Sequence, residues 1–428
     1  MSENSIATRK MKHSGVEWIG EIPEDWEITT YRRLLNRRKE YDDQDKQVLS
    51  LTIQGVKVKN ENYGKMAEDF TGHQIVKQGD LVFTPRDFDA TPILSGIAPC
   101  DGCISNLYFV LYPHNISETF IPFINYFMWG VKWGGDIWKR LSYGMRFSYN
   151  FQQFGALPIA VPPIDTQRRI ADFLEDKCGK IDRYIEKQQK IIDKLKEYKQ
   201  AVITEAVTKG LNPDVPMKDS GIEWIGMIPE HWDVPEIKYL VRIASGGTPD
   251  RNHPEYWNGN IPWIKTGELQ NDIITNAEEY ITEEGLNNSS AQVFNINTIL
   301  VAMYGQGKTR GMTALLKTPA STNQACAGLT VTNSNVQIEY LWQCLIGAYD
   351  AIRSEAAGSG QPNLSATLIG NFHIALPPIE EQGLIVEYIK DRTVEIKSTI
   401  HKAEKLLEKL TEYKKSLIYE AVTGKLEV

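Results

Sequence analysis

Cysteine is scarce in this chain, and the punctuation of catalysis is missing. Five cysteines among 428 residues, Cys100, Cys103, Cys178, Cys326 and Cys344, form an odd, scattered set that excludes a disulfide framework and suits a reducing compartment. Only Cys100 and Cys103 stand close together. A zinc site would need two more ligands at similar spacing, and the nearest histidine, His114, is alone, so the pair reads as a turn with two buried thiols and no metal. The seven histidines show no ligand spacing, and neither a Gly-x-Ser-x-Gly elbow nor a His-Glu-x-x-His pair occurs. No run reaches the roughly 18 apolar residues of a membrane span, and the opening Met1 to Gly15 lacks the apolar stretch of a signal peptide. A soluble, cytoplasmic protein is expected. Basic residues are in the minority: 47 Lys and Arg against 55 Asp and Glu give a formal charge of −8. The whole-molecule field therefore repels polyanions, and any such contact must come from a local basic surface.

What is present is ordinary globular material, long enough for two or three domains of about 150 residues. Its strongest feature is repetition. Met11 to Ile28 (MKHSGVEWIGEIPEDWEI) returns at Met217 to Val234 (MKDSGIEWIGMIPEHWDV) with 12 identities in 18 positions, 206 residues further on. Glu197 to Leu211 (EYKQAVITEAVTKGL) returns at Glu412 to Leu426 (EYKKSLIYEAVTGKL), 215 residues on, as does Val161-Pro-Pro-Ile164 at Leu376-Pro-Pro-Ile379. The chain is a duplicated unit whose second copy has gained nine residues in its middle. Between the matching ends the copies align poorly.

After each Pro-Pro-Ile, apolar residues recur in alternating steps of four and three. The seam runs through Leu174, Cys178, Ile181, Ile185, Ile192, Leu195 and Val202, and in the same register through Ile389, Ile396, Ile400, Leu407, Leu410 and Leu417. Lys199 and Lys414 occupy the same odd place in the two copies. Neither stretch contains an interior proline, and the first stops at Lys209-Gly210. Two helices of about 40 residues, about 60 Å each, are predicted. A stripe so narrow is not expected to be buried by its own globular domain, and the other copy is its natural partner. The fold class is α+β: two α/β globular segments joined by two long helices forming an antiparallel coiled coil, with pseudo-twofold internal duplication.

The globular segments read as short strands and loops with helices at 121–133 and 338–355. The tryptophans of the repeated entry, Trp18, Trp26, Trp224 and Trp232, read as core anchors. Ala302 to Thr309 nearly matches a phosphate-cradling loop, but alanine replaces its first glycine and no helix follows. It reads better as a Gly-rich loop presenting Gln306, Lys308, Thr309 and Arg310, since small residues let backbone approach a polyanion. Lys and Arg can clamp phosphate or reach guanine, and Gln can address adenine. Similar loops carry Ser245, Gly247, Thr248 and Arg251; Lys265, Thr266 and Glu268; and Gln361 and Asn363. In the first copy, Thr84 and Arg86 follow a strand, and Tyr143, Arg146, Ser148 and Tyr149 occupy the place of the 358–363 loop.

Together, the paired Gly-x-Glu-Trp-Ile-Gly-x-Ile-Pro-Glu-x-Trp entries, Ser245-Gly-Gly-Thr-Pro249, Tyr256-Trp-Asn-Gly-Asn-Ile-Pro-Trp263, the Pro-Pro-Ile leads and the helices ending in Glu-Ala-Val-Thr resemble the specificity (S) subunits of type I restriction-modification systems. The resemblance covers nearly the whole chain. It implies target-recognition domains at 1–163 and 212–378, each reading one half of a split DNA site, and spacer helices at 164–211 and 379–428 that set the gap and bind methyltransferase (modification) subunits, two of them expected. It also implies no catalysis and no cofactor on this chain, with S-adenosylmethionine, ATP and Mg on the modification and motor-nuclease (restriction) subunits. One departure stands out: the first half lacks a Gly-Gly-Thr-Pro loop and carries Arg32-Arg33 and Arg37-Arg38-Lys39 instead. Two alternatives remain open from the residues, a specificity subunit of a two-component system cutting on both sides of its site, and a coiled-coil scaffold whose heads bind ligands other than DNA.

Overall fold

A computed structural model of the chain describes residues 9–41, 47–59, 72–86, 93–134, 148–305, 307–358 and 363–428. It divides into two compact units, Met1–Gln189 with Glu404–Val428, and Lys190–Ala403. The first unit is thus built from two stretches far apart in sequence.

The first unit opens on a hairpin, Met11–His13 against Glu21–Pro23. Its main sheet has four antiparallel strands in the order Leu35–Arg38, Phe109–Pro113, Leu81–Phe83, Ser95–Ile97. All three residues of Leu81–Phe83 are buried, as a central strand covered on both faces requires. The apolar run at 104–111 contributes to two strands, Gly102–Ile104 and Phe109–Pro113, which belong to different sheets. The polar Ser105-Asn106 turn between them breaks the run. Helix Ile121–Trp133 starts on Pro122 and turns Phe123, Ile124, Phe127, Met128 and Val131 inward. Strand Pro158–Val161 then pairs with Glu27–Thr30 and hands the chain to a helix of 46 residues, Ile164–Lys209.

The second unit repeats this plan where sequence alignment fails. Met217–Asp219 pairs with Met227–Pro229 in the register of the first hairpin. Strands Val241–Ser245, Cys326–Val331, Ile299–Ala302 and Thr313–Leu316 take the order of the first unit's sheet, with Asp272–Ile274 added as a parallel fifth. The 338–355 helix is broken at Ala348 into Ile338–Gly347 and Tyr349–Gly358. Asp233 and Leu376 exchange two backbone bonds where the first unit has strand Pro158–Val161. The second long helix, Ile379–Val422, has 44 residues.

A glycine explains how the helices meet. A Cβ on Gly130 would lie 2.7 Å from Val422 Cγ2, and one on Gly347 would lie 3.1 Å from Val207 Cγ2. In each unit the Glu-Ala-Val-Thr end of a long helix therefore sits directly on the backbone of a middle helix. In the first unit, Leu174, Cys178, Ile181 and Leu417 share one core with Phe123, Phe127 and Met128, and Asp182 accepts two hydrogen bonds from Lys414 Nζ at 2.6 and 2.8 Å. In the second, Ile203, Val207, Ile385 and Ile389 share a core with Tyr340 and Leu341. Lys199 faces Lys397 there, and burial first, then that like charge, lowers its pKa. All the seam positions are buried or half-buried. The globular cores, not the opposite helix alone, cover part of the stripe, because its ends carry extra apolar residues beside the seam: Ile170, Ala171, Ile203 and Val207. Trp26 and Trp232 are fully buried, and Trp18 and Trp224 pack at the edges of the same cores. Cys103 is buried, whereas Cys100, at the tip of its turn, is only half-buried. Among the described residues no helix is long and apolar enough to cross a membrane.

Candidate nucleic-acid interface

The second unit gathers its polar loops at one end of its sheet. Ser245 faces Ala327 and Ala302 faces Cys326, so the chain leaves towards Gly246–Arg251 and Met303–Arg310 side by side. Gly247 is packed against the backbone at Ser290 and Ala291, where no side chain fits, and its carbonyl accepts Trp263 Nε1 at 3.0 Å. That bond brings the strand Trp257–Ile264 and the following Lys265–Glu268 turn to the same place. Gly247 is therefore a structural post. The Thr248 hydroxyl donates to Gln324 Oε1, and the exposed Ser245 uses its carbonyl to hold Gln292 Nε2 at 2.7 Å.

Arg251 and Lys265 are already committed. The Arg251 guanidinium lies 3.6 Å from the Trp257 ring centroid and meets Glu279 at 2.7 Å; Lys265 Nζ meets Glu278 at 2.8 Å and Glu279 at 3.2 Å. Arg251 above all, and Lys265 with it, hold the Glu279 carboxyl below its usual range, while Glu278 and then Glu279 raise Lys265. Glu268 caps its own turn, accepting Lys265 N at 2.8 Å and Glu278 N at 3.1 Å, with Thr266 half-buried inside it. These cations must exchange partners to meet a phosphate.

The 303–310 loop differs. Lys308 is exposed, Thr309 and Arg310 are half-buried, and neither cation has an ion-pair partner among the described residues. Arg310 Nε is buried without a hydrogen-bond partner there. A strand, Thr313–Leu316, follows the loop, where a phosphate-cradling loop would lead into a helix N-terminus. Leu364 N donates to Met303 O at 3.0 Å, which sets Asn363 beside this loop. Gln306 and Gln361 lie outside the described residues.

The first unit builds the same junction. Tyr149 N donates to Pro85 O at 2.9 Å, the counterpart of the Leu364–Met303 bond, and Arg86 bridges Ser148. Loops 62 to 64 positions apart in sequence, expected separately, thus meet. Arg86 is exposed, and Ser148 half-buried beside it. Thr84 is buried, its hydroxyl bonded to Arg86 O at 3.0 Å; Tyr149 is 4% exposed and belongs to the core next to Tyr31. Both support the junction and neither is presented outward. Tyr143 and Arg146 lie outside the described residues. Of the arginines that replace a Gly-Gly-Thr-Pro loop here, Arg38 is a buried partner of Asp80 at 2.8 Å, and Arg37 stacks 4.5 Å from the Phe109 ring centroid. Arg32 and Arg33 are exposed.

Sequence reasoning missed Trp257, Glu279, Tyr349 and Arg353. Only Trp257 carried a signal, an aromatic in a Gly- and Asn-rich strand. The other three act on partners 14 to 46 positions away, a separation no local pattern encodes.

A family model described as the type I restriction modification DNA specificity domain matches residues 229–409, which span the second unit's sheet and most of the second long helix. Residues 229–409 are thus similar to type I DNA specificity domains. Among relatives, it is 32% identical over 195 residues to the type I restriction enzyme MjaIX specificity subunit of Methanocaldococcus jannaschii, a match covering 44% of this chain and 43% of that one. The chain thus spans less than half the length of that relative in the match. Over 435 residues it is 25% identical to the putative MjaX specificity subunit of the same organism, covering 96% of each. A solved chain from a study of complex assembly and conformational transition in the type I restriction-modification system shares the fold with a TM-score of 0.66 at 14% identity, covering 95% of this chain and 99% of that one.

Proposed function

We propose that this chain is the DNA-reading and scaffolding subunit of a type I restriction-modification assembly. Each globular portion reads one half of a bipartite, asymmetric site, the 303–310 loop with Asn363 serving the second half and Arg86 with Ser148 the first. One observation carries the reading: two copies of one framework present loops at the same sheet end, joined by the same backbone bond, yet filled with different residues. Equal frameworks with unequal contents suit two different half-sites. Duplex DNA is the ligand such loops fit, because Lys308 and Arg310 are cations with no ion-pair partner among the described residues.

The long helices form an antiparallel coiled coil in this proposal, and its length sets the gap between half-sites. Support comes from within each unit, where the two long helices lie side by side: Asp182 meets Lys414 in the first, and Lys199 lies beside Lys397 in the second. The same helices and entry segments dock the modification subunits, two being expected. The chain supplies no reacting group; S-adenosylmethionine, ATP and Mg serve the partner subunits, and the assembly works in the cytoplasm. The net charge of −8 fits a subunit that relies on its partners for part of the phosphate contact.

Exchange of residues 217–378 for those of a relative tests this. Mapping methylated adenines should show one half of the site changed and the other kept. Change in both halves, or no DNA binding by the assembled complex, would refute it.

A further inference from the structure

We infer that Tyr349 and Arg353 are positioning residues that mount the Gly307–Arg310 loop by its main chain, leaving the loop's own side chains free to read DNA; the inference rests on the DNA-reading role proposed above. Tyr349 hydroxyl donates to Lys308 O at 2.7 Å. Arg353 Nη1 donates to Arg310 O at 2.6 Å and Nη2 to Gly307 O at 2.9 Å. Two side chains on successive turns of one helix therefore take three carbonyls out of four consecutive residues. The Arg353 guanidinium lies 5.1 Å from the Tyr349 ring centroid, so each side chain steadies the other.

The loop needs such a mount. Gly305, Gly307 and Gly311 all have positive φ, and three glycines in seven residues leave the free loop with many conformations to lose on meeting a ligand. The would-be Cβ of Gly311 already touches Arg353 Cγ at 3.3 Å and Tyr349 Cδ2 at 3.5 Å, so the helix seats the loop closely as well as bonding to it. Because every bond goes to a carbonyl, none depends on which residue stands at 308, 309 or 310. The mount holds the loop in place while the reading residues are free to vary, and Arg353 adds a third positive charge beside Lys308 and Arg310.

The test uses the full chain assembled with its modification subunits and a duplex carrying the site found by methylation mapping. Arg353→Met and Tyr349→Phe are compared with Lys308→Ala and Arg310→Ala. In Arg353→Met, amide exchange at Gly311 and Met312 should rise about tenfold while the melting temperature holds. Preference for the cognate over an altered second half-site should fall about tenfold, with discrimination at the first half-site unchanged. Tyr349→Phe should show the same pattern more weakly, and Arg353→Lys should not restore it, because an ammonium cannot span both carbonyls. A double variant with Lys308→Ala should lose less than the two single losses combined. Unchanged exchange, or equal weakening at both half-sites, overturns the inference. If the Lys308 and Arg310 variants weaken second-half reading while Arg353→Met and Tyr349→Phe do not, the mount alone is refuted. Unchanged binding in the Lys308 and Arg310 variants refutes the loop as a DNA contact, and the mount's role with it.

Discussion

Gln167 and Gln382, 215 positions apart, make the same three hydrogen bonds. Gln167 accepts from Phe120 N at 2.9 Å and donates to Glu118 O and Pro162 O; Gln382 accepts from Gln337 N at 2.8 Å and donates to Asn335 O and Pro377 O. Both are essentially fully buried, one turn into a long helix. Each ties the loop before a middle helix to the Pro-Pro lead of a long one. Buried amides are held this completely because an unpaired one is costly. Replacing either by Leu would strand backbone groups and should cost about 1–3 kcal/mol. Urea unfolding of Gln167→Leu and Gln382→Leu checks this; a loss within about 0.5 kcal/mol, as at ordinary surface sites, would show the bonds are dispensable.

Lys308→Ala and Arg310→Ala should each weaken cognate binding by about 1–3 kcal/mol if the residue reads a base. Uniform weakening on every sequence, with a shallower salt dependence, would assign the residue to phosphate instead. Arg251→Ala and Lys265→Ala are expected to do less, because Glu278 and Glu279 already hold these cations. Titrations at several salt concentrations separate these cases.

Gly424 has φ +74°, and a Cβ there would run into the Pro23 ring and come within 3.3 Å of Trp26 Cζ2. Gly424→Ala should cost about 1–3 kcal/mol through backbone strain and the rigid proline. In the second unit a Cβ on Gly210, φ +73°, would lie 3.0 Å from Trp232 Cζ2, so Gly210→Ala should act there alike. Thermal melts of both variants read the effect.

Alkali should destabilise the protein. Burial raises the Cys178 thiol from 9.0 to about 11 and the Cys326 and Cys344 thiols to about 12, and it pushes Tyr31 and Tyr340 well above 10. All five are neutral when protonated and titrate later in the folded state than in the unfolded chain. Their contribution is whole below pH 9 and is lost as pH rises towards 11 and 12, by about 1.4 kcal/mol per pH unit for each group. Denaturant midpoints measured from pH 8 to 11 should fall with increasing steepness. A flat profile would mean these groups are exposed.

Much of the framework was legible in the residues. Entry hairpins and long helices announce themselves because they repeat nearly unchanged and because a period of 3.5 residues sustained over four heptads has few other uses. The four-stranded order shared by the units was hidden, since strands of three to six residues fix only which face is apolar, and Leu81–Phe83 and Ile299–Ala302 need share no identity to fill equivalent places. Of the candidate interface, the loops could be read from glycine and charge. That Tyr149 faces inward and Arg86 outward could not, because the backbone pairing that decides it joins segments some 60 residues apart.

Gly424 against Pro23 has a bearing on how the protein is born. The second unit is one uninterrupted stretch and has everything it requires once the ribosome has passed Ala403. The first has its opening hairpin early but is completed only when residues 404–428 follow. Synthesis order is therefore reversed in assembly: the later-made body matures first.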